Sequence, residues 1–187
     1  MKLSTMHKEL ILIRHAQSEW QSGITNDRNS NLTEKGVLES KLLYMRLKKY
    51  IEMNSYSLYC STLNRAMQTC NLSLSEENFS RVTFNENFNE ANFHVRSSIF
   101  IRRDFFPKKT DKKPSEYMDF KHRISMEITD ILARENKVVI YTHGGVIKTI
   151  LRIFCGSDEF CSEIENCSIT HFIESEVGWI LKKVNYL

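Results

Sequence analysis

The chain is poor in the residues that punctuate structure: its 187 residues include only two prolines and six glycines. Such a composition excludes a linker-rich or low-complexity protein. A cysteine framework is missing as well. Cys60, Cys70, Cys155, Cys161 and Cys167 are odd in number, form no C-x-x-C pair and lack zinc-ribbon or zinc-finger spacing. They read as reduced thiols, mostly packed, in a reducing compartment. No stretch approaches the ~20 apolar residues that span a bilayer. The apolar run Leu10–Ile13 follows Lys8 and Glu9 and stops at Arg14, too short for the core of a secretory leader. These absences predict a soluble, cytoplasmic protein without a membrane partner. A net charge of +3 is too small to suggest nucleic-acid binding, and no zinc-finger or RNA-recognition pattern accompanies it.

What is present is a globular balance of 41% apolar and 26% charged residues, enough for one substantial core. The expected organisation is a single domain over 1–187 with an irregular lid or insertion around 85–113. Glu9 to His15 reads as a strand buried on both faces. A loop over Ser22–Asn31 follows, and Thr33 is placed to cap a helix whose inner face carries Val37, Ser40, Leu43, Tyr44, Leu47, Tyr50 and Ile51. Tyr56–Cys60 is a second strand; Leu63, Ala66, Met67, Cys70 and Leu74 form the next helical stripe. Arg81–Phe84 predicts a short strand. Pro114 suits the first turn of a helix whose buried face is Tyr117, Phe120, Ile124, Ile128, Ile131 and Leu132. Lys137–Thr142 is a fully apolar strand leading into Gly144-Gly145 and another helix. Ser168–Ile173 and Trp179–Val184 close the chain as an antiparallel pair turning near Gly178. Alternation of strand and helix predicts an α/β fold: three layers, α/β/α, with a mostly parallel central sheet.

In such a sheet, ligands bind beyond the carboxyl ends of the strands. Three strand ends carry chemistry there: Arg14-His15, Ser61 to Arg65, and Thr142-His143-Gly144. Two arginines and two histidines at one edge suit a phosphate dianion, because guanidinium groups bind its oxygens in pairs. A neutral imidazole can attack phosphorus, and neighbouring cations hold it neutral. Gly144 and Gly145 leave the following helix N-terminus open, so its free amides are expected to add anion affinity.

The same residues resemble a known family. Leu12-Ile13-Arg14-His15-Ala16-Gln17-Ser18-Glu19-Trp20 is similar to the RHG signature of the histidine phosphatase superfamily, also called phosphoglycerate-mutase-like. Leu32-Thr33-Glu34-Lys35-Gly36, Ser61-Thr62-Leu63-Asn64-Arg65-Ala66-Met67-Gln68-Thr69 and Thr142-His143-Gly144-Gly145 resemble its further motifs, in the family's order. The resemblance implies that His15 is the nucleophile and forms a phosphohistidine. Arg14, Arg65, His143, Gln21 and Gly144 would bind phosphate. Phe88-Asn89-Glu90-Ala91-Asn92-Phe93-His94 is similar to the segment carrying the family's proton donor, which points to Glu90, with Glu86 as a competing acid. Departures are Ala16 for the usual Gly, Gln21 where many members have Asn, Asn29 where an Asp often precedes L-T, and His94 for Gly. No metal or organic cofactor is implied.

The expected activity is hydrolysis of a phosphomonoester on a small phosphorylated metabolite, by the small-phosphatase branch. The alternatives are mutase-type phosphoryl transfer, a phosphoprotein phosphatase and a non-catalytic phospho-ligand binder. A homodimer is left open. Between Ile101 and Lys113, six basic residues (Arg102, Arg103, Lys108, Lys109, Lys112, Lys113) stand against Asp104 and Asp111. That run is either a solvated surface or an attractor for polyanionic substrates. Trp20 and Phe105-Phe106 are either packing residues or the wall of a leaving-group pocket.

Overall fold

The computed structural model describes residues 7–95, 115–158 and 163–187, and its centre is β1 (Glu9–Arg14). Leu10, Ile11, Leu12 and Ile13 on this strand are wholly buried. Leu10 and Leu12 point into one core, Ile11 and Ile13 into the other. Side chains alternate across a strand, so this division requires cover on both faces. Each such side chain contributes about 1.5–3 kcal/mol by leaving water.

Around β1 lie α1 (Glu34–Tyr50), β2 (Ser57–Cys60), α2 (Asn64–Ser73), a single-turn helix α3 (Glu76–Phe79) and β3 (Thr83–Phe84). After them come α4 (Ser115–Arg134), β4 (Lys137–Thr142), α5 (Gly144–Cys155), β5 (Ile169–Ser175) and β6 (Gly178–Tyr186). The six strands run in the order β3-β2-β4-β1-β5-β6. β3, β2, β4 and β1 are parallel; β5 is antiparallel to β1, and β6 to β5. The predicted three-layer α/β architecture with an antiparallel C-terminal pair is therefore the one observed.

Residues of α1 and α2 pack against Ile11, Ile13, Leu58, Val139 and Tyr141 on one face. Residues of α4 and α5 pack against Leu10, Leu12, Val138 and Ile140 on the other. All six apolar positions expected on the inner face of α4 are buried. Thr33 caps α1 as expected, accepting from the Gly36 amide at 3.0 Å. α5 ends at Gly156, whose φ of 75° is the left-handed cap that glycine tolerates.

Some expectations needed correction. The Arg81–Phe84 strand pairs over two residues only: the Arg81 and Val82 amides donate to the Asn78 and Phe79 carbonyls in the turn that follows α3. Ser75 starts the unexpected α3 by accepting from the Asn78 amide at 3.3 Å. Cys60, Cys70 and Cys167 are free and buried, whereas Cys155 is free and exposed. Cys161, Pro114, the basic run 102–113, Phe105-Phe106 and most of the expected lid lie outside the described residues. Among the described residues, no helix is long and apolar enough to cross a membrane.

Candidate active site

The parallel ladder fixes the lateral spacing of the site. Arg14 is level with Thr142, and Cys60 with Tyr141. Backbone bonds carry the register one residue further: His15 N to Thr142 O at 2.9 Å and Ser61 N to Tyr141 O at 2.9 Å. His15, Ser61 and His143 thus leave three adjacent strands at one edge. The His15 and His143 rings lie 5.0 Å apart between centroids, and both are buried.

His15 is held in one tautomer. Its Nδ1 is 2.7 Å from the Ala16 carbonyl, which can only accept, so Nδ1 carries the hydrogen. Its Nε2 then presents a lone pair, into which Arg65 Nε donates at 3.1 Å. The Ala16 amide is itself tied to Thr69 Oγ1 on α2 at 2.9 Å. Burial first, then the charges of Arg65 and Arg14, hold the His15 pKa well below the ordinary histidine value. Burial, then His15, Arg65 and Arg14, do the same for His143. Both rings are therefore neutral near pH 7.

The two guanidinium groups are mostly buried and still charged. Burial lowers both pKa values, and Glu90 opposes the effect in each case. Arg14 Nη1 donates to the Ile164 carbonyl, while its Nε is buried with no hydrogen-bond partner among the described residues. Arg65 Nη1 donates to the Arg28 carbonyl. His143 Nδ1 is also buried and unpartnered, whereas its Nε2 meets Ser61 Oγ at 2.7 Å. Two unmet polar atoms at one site mark a place built for something polar.

Glu90 lines a cleft of about 1160 Å³ together with Arg14 and Arg65, and the two buried histidines lie beneath its lining. Its Oε2 accepts from the Gly145 amide at 2.9 Å, and its Oε1 from the Ala91 amide at 3.0 Å. The expectation of free amides at the start of α5 is corrected here: the Gly145 donor is occupied by Glu90. Gly144 faces Arg14, with a notional Cβ 3.5 Å from Arg14 Nε. Glu86 starts a short 3-10 turn (Glu86–Phe88), is exposed, and does not line the cleft.

Gln21 is an exposed rim residue. Its carboxamide exchanges bonds with that of Asn166, at 3.2 and 3.4 Å, and its Oε1 accepts from the Ser18 amide. Trp20 lines the cleft with Arg28 stacked over its ring, 5.4 Å from the centroid. Asn29 braces α2 by accepting from the Asn64 amide at 2.8 Å.

Several residues of this neighbourhood carried no functional expectation. Arg28, Arg123, Lys148 and Asn89 all line the cleft. Arg28 sits in a loop that reads as mere turn composition. Asn89 is the variable letter of its motif, although its place immediately before Glu90 was a usable signal.

With this geometry in view, comparison with known proteins gives a consistent picture. The family profile described as histidine phosphatase superfamily (branch 1) matches residues 10–187. A protein of Hydrogenobacter thermophilus named as a candidate phosphoserine phosphatase is 29% identical over 166 residues, 80% of this chain and 79% of its own length. The 2,3-bisphosphoglycerate-dependent phosphoglycerate mutase of Actinobacillus pleuropneumoniae is 40% identical over 75 residues. That match spans only 37% of this chain and 31% of the mutase. The crystal structure of phosphoserine phosphatase from Entamoeba histolytica in complex with 3-phosphoglyceric acid shares the fold. Its TM-score is 0.68 at 20% identity, with 96% of this chain and 97% of that chain covered.

Proposed function

The chain belongs to the histidine phosphatase superfamily and is a phosphatase of that type, and from this membership we propose that it hydrolyses a small phosphorylated metabolite through a phosphohistidine at His15. The observation that carries the reading is the His15 ring: neutral, with its Nε2 lone pair facing Arg65 Nε and its Nδ1–H bound to Ala16 O. That is the state in which an imidazole attacks phosphorus.

The phosphoryl group would lie among Arg14, Arg65 and His143, where the guanidinium donors replace the charge stabilisation that water gave it. On binding, Arg65 Nε turns from the His15 lone pair to a phosphate oxygen and frees the nucleophile. Nε2 attacks, the bond from phosphorus to the leaving oxygen breaks, and Glu90, entering this step as the carboxylic acid, protonates that oxygen and is left as the carboxylate. In the second half, Glu90 takes a proton from water, whose oxygen attacks the phosphohistidine and releases phosphate. Gln21 and Gly144 would contact the phosphate from the rim and from the start of α5. No step of this scheme asks for a metal ion or organic cofactor.

The substrate class is supported by the name of the Hydrogenobacter relative and by the ligand of the Entamoeba structure, both small phosphorylated compounds bearing a carboxylate. Mutase-type transfer is the weaker reading, since the match to the mutase stops at about a third of each chain. We further read the chain as one domain acting in the cytoplasm without a nucleic-acid partner.

The test is phosphate release from p-nitrophenyl phosphate with a chelator present, comparing wild type and His15→Ala. Chelator-resistant turnover that vanishes in the variant is expected. Turnover that survives in His15→Ala would overturn the assignment of the nucleophile. A folded wild type that releases no phosphate would move the reading to a mutase or a phospho-ligand binder.

A further inference from the structure

We propose that Asn89, acting through Ser61, is a positioning residue that fixes the His143 imidazole in its Nε2–H form, leaving Nδ1 to meet the phosphoryl group. The inference rests on the reading of the cleft as a phosphoryl-transfer site, but its geometry can be tested without turnover.

The direction of each bond follows from one donor that cannot act otherwise. The Thr62 backbone N–H lies 2.9 Å from Asn89 Oδ1 and can only donate, so it sets the orientation of the carboxamide. The amide nitrogen agrees: Nδ2 donates to Thr62 Oγ1 at 2.8 Å. Asn89 Oδ1 therefore faces Ser61 Oγ, at 2.7 Å, as an acceptor. A hydroxyl has one proton, and this one is spent on Oδ1. What remains on Ser61 Oγ is acceptor capacity. It takes the Leu63 amide at 3.2 Å and the His143 Nε2 at 2.7 Å. Nε2 must then bring its own hydrogen, and the bare nitrogen of the neutral ring is Nδ1.

A merely structural relay would satisfy a buried serine and end there. This one ends on a buried Nδ1 with no hydrogen-bond partner among the described residues, and an unmet buried polar atom is costly. The cost is recovered when a ligand meets that atom. A phosphate monoester monoanion carries the P–OH proton that Nδ1 can accept, after which the ring donates from both nitrogens. His15 is fixed in the opposite sense, with Nδ1–H bound and Nε2 bare. The two facing rings thus divide the work: one lone pair attacks phosphorus, and the other takes the P–OH proton and gives it back to an oxygen of the phosphate released at the end. A His143 ring in the other tautomer would leave its lone pair at Ser61, away from the phosphoryl group.

The experiment is two-bond 1H–15N correlation on the full chain at pH 7.5, with the His143 ring assigned by its loss in His143→Gln. The expected wild-type pattern is a pyrrole-type Nε2 and a pyridine-type Nδ1. In Asn89→Leu the Ser61 hydroxyl is released to donate to Nε2, and the pattern should invert or average. In Asn89→Asp an acceptor remains at the same place and the wild-type pattern should persist. Turnover of p-nitrophenyl phosphate should fall by on the order of 10-fold or more in Asn89→Leu and largely return in Asn89→Asp. A wild-type ring protonated at Nδ1, or a pattern indifferent to Asn89→Leu, would overturn the proposal. Loss of the phosphatase reading is separately visible as a wild type with the expected tautomer and no turnover.

Discussion

Glycine 145 allows the proton-donor assignment to be tested without touching any ionisable group. An ideal Cβ at this position would lie 2.3 Å from Glu90 Oε1, 3.0 Å from Glu90 Cδ and 2.7 Å from Val95 Cγ2. Ordinary Cβ contacts begin at 3.4 Å. In Gly145→Ala the carboxylate must retreat by about 1 Å, and a misplacement of that size near reacting atoms costs on the order of 10²-fold in rate. The Glu90 carboxylate is the flexible end of an acid facing an open cleft, but the buried Val95 side chain must shift as well, so an overpacking cost of about 1–3 kcal/mol is expected. A loss of about 1 kcal/mol would lower Tm by roughly 2–4 °C in a chain of this size. The assay compares kcat for an alkyl phosphate, whose leaving oxygen needs a proton, with kcat for p-nitrophenyl phosphate, which hardly does. The alkyl ester should suffer the larger loss by an order of magnitude or so. Equal losses for both, or wild-type turnover of the alkyl ester, would refute the idea that the Gly145 amide seats the general acid. Gly36→Ala is the contrasting control: its Cβ would sit 2.1 Å from the Gln17 carbonyl oxygen, a backbone atom that cannot swing aside. That variant should lose stability with no preference between leaving groups.

Glu90→Gln should reproduce the leaving-group discrimination of Gly145→Ala with a larger loss, measured by the same pair of substrates. Stability should depend on pH through the two buried rings. Their folded pKa values lie well below the ordinary 6.5, so as pH falls below about 6.5 the unfolded chain takes protons that the folded chain refuses. Stability is thus lost toward acid, with a limiting slope of about 1.4 kcal/mol per pH unit per histidine. Urea unfolding at a series of pH values below 7 should show a shallower slope for His143→Gln than for wild type, and identical slopes would rule out a neutral buried ring. Arg152 Nε and Nη2 grip the wholly buried Asp158 carboxylate at 2.8 and 3.0 Å. Arg152→Met should cost on the order of 2 kcal/mol by removing this two-point grip on a buried carboxylate, read as a fall in the urea midpoint.

How far the sequence speaks depends on the range of the interaction involved. β1 and β4 are legible because a strand covered on both faces needs an unbroken apolar run, and few other structures tolerate one. α4 is legible because its six inner positions recur at helical spacing over the 16 residues from Tyr117 to Leu132. The meeting of His15, Arg65 and His143 follows from topology alone, since parallel strands deliver their ends to one edge. β3 is less legible: the Arg81 and Val82 amides are taken by the turn after α3, which period cannot show. α3 left a readable trace in Ser75 followed by Glu76 and Glu77, a capping residue before an acidic first turn.

The site's hydrogen bonding escapes the sequence for a different reason. An amide at the start of a helix attracts any anion, and the sequence offers two for Gly145: the substrate's phosphate and the Glu90 carboxylate, 55 residues away. The fold gives that donor to Glu90. On the proposed reading, with the Gly145 amide committed to Glu90, the charge of the phosphoryl group would fall mainly on Arg14 and Arg65, with Gly144 beside them, and the Gly145 amide has another task. A carboxylate held by Gly145 and Ala91 cannot drift onto the adjacent guanidinium groups and neutralise them. The glycine pair after His143 therefore contributes by keeping the acid and the arginines apart, and only the absence of a Cβ at position 145 leaves room for the carboxylate to stay where it is.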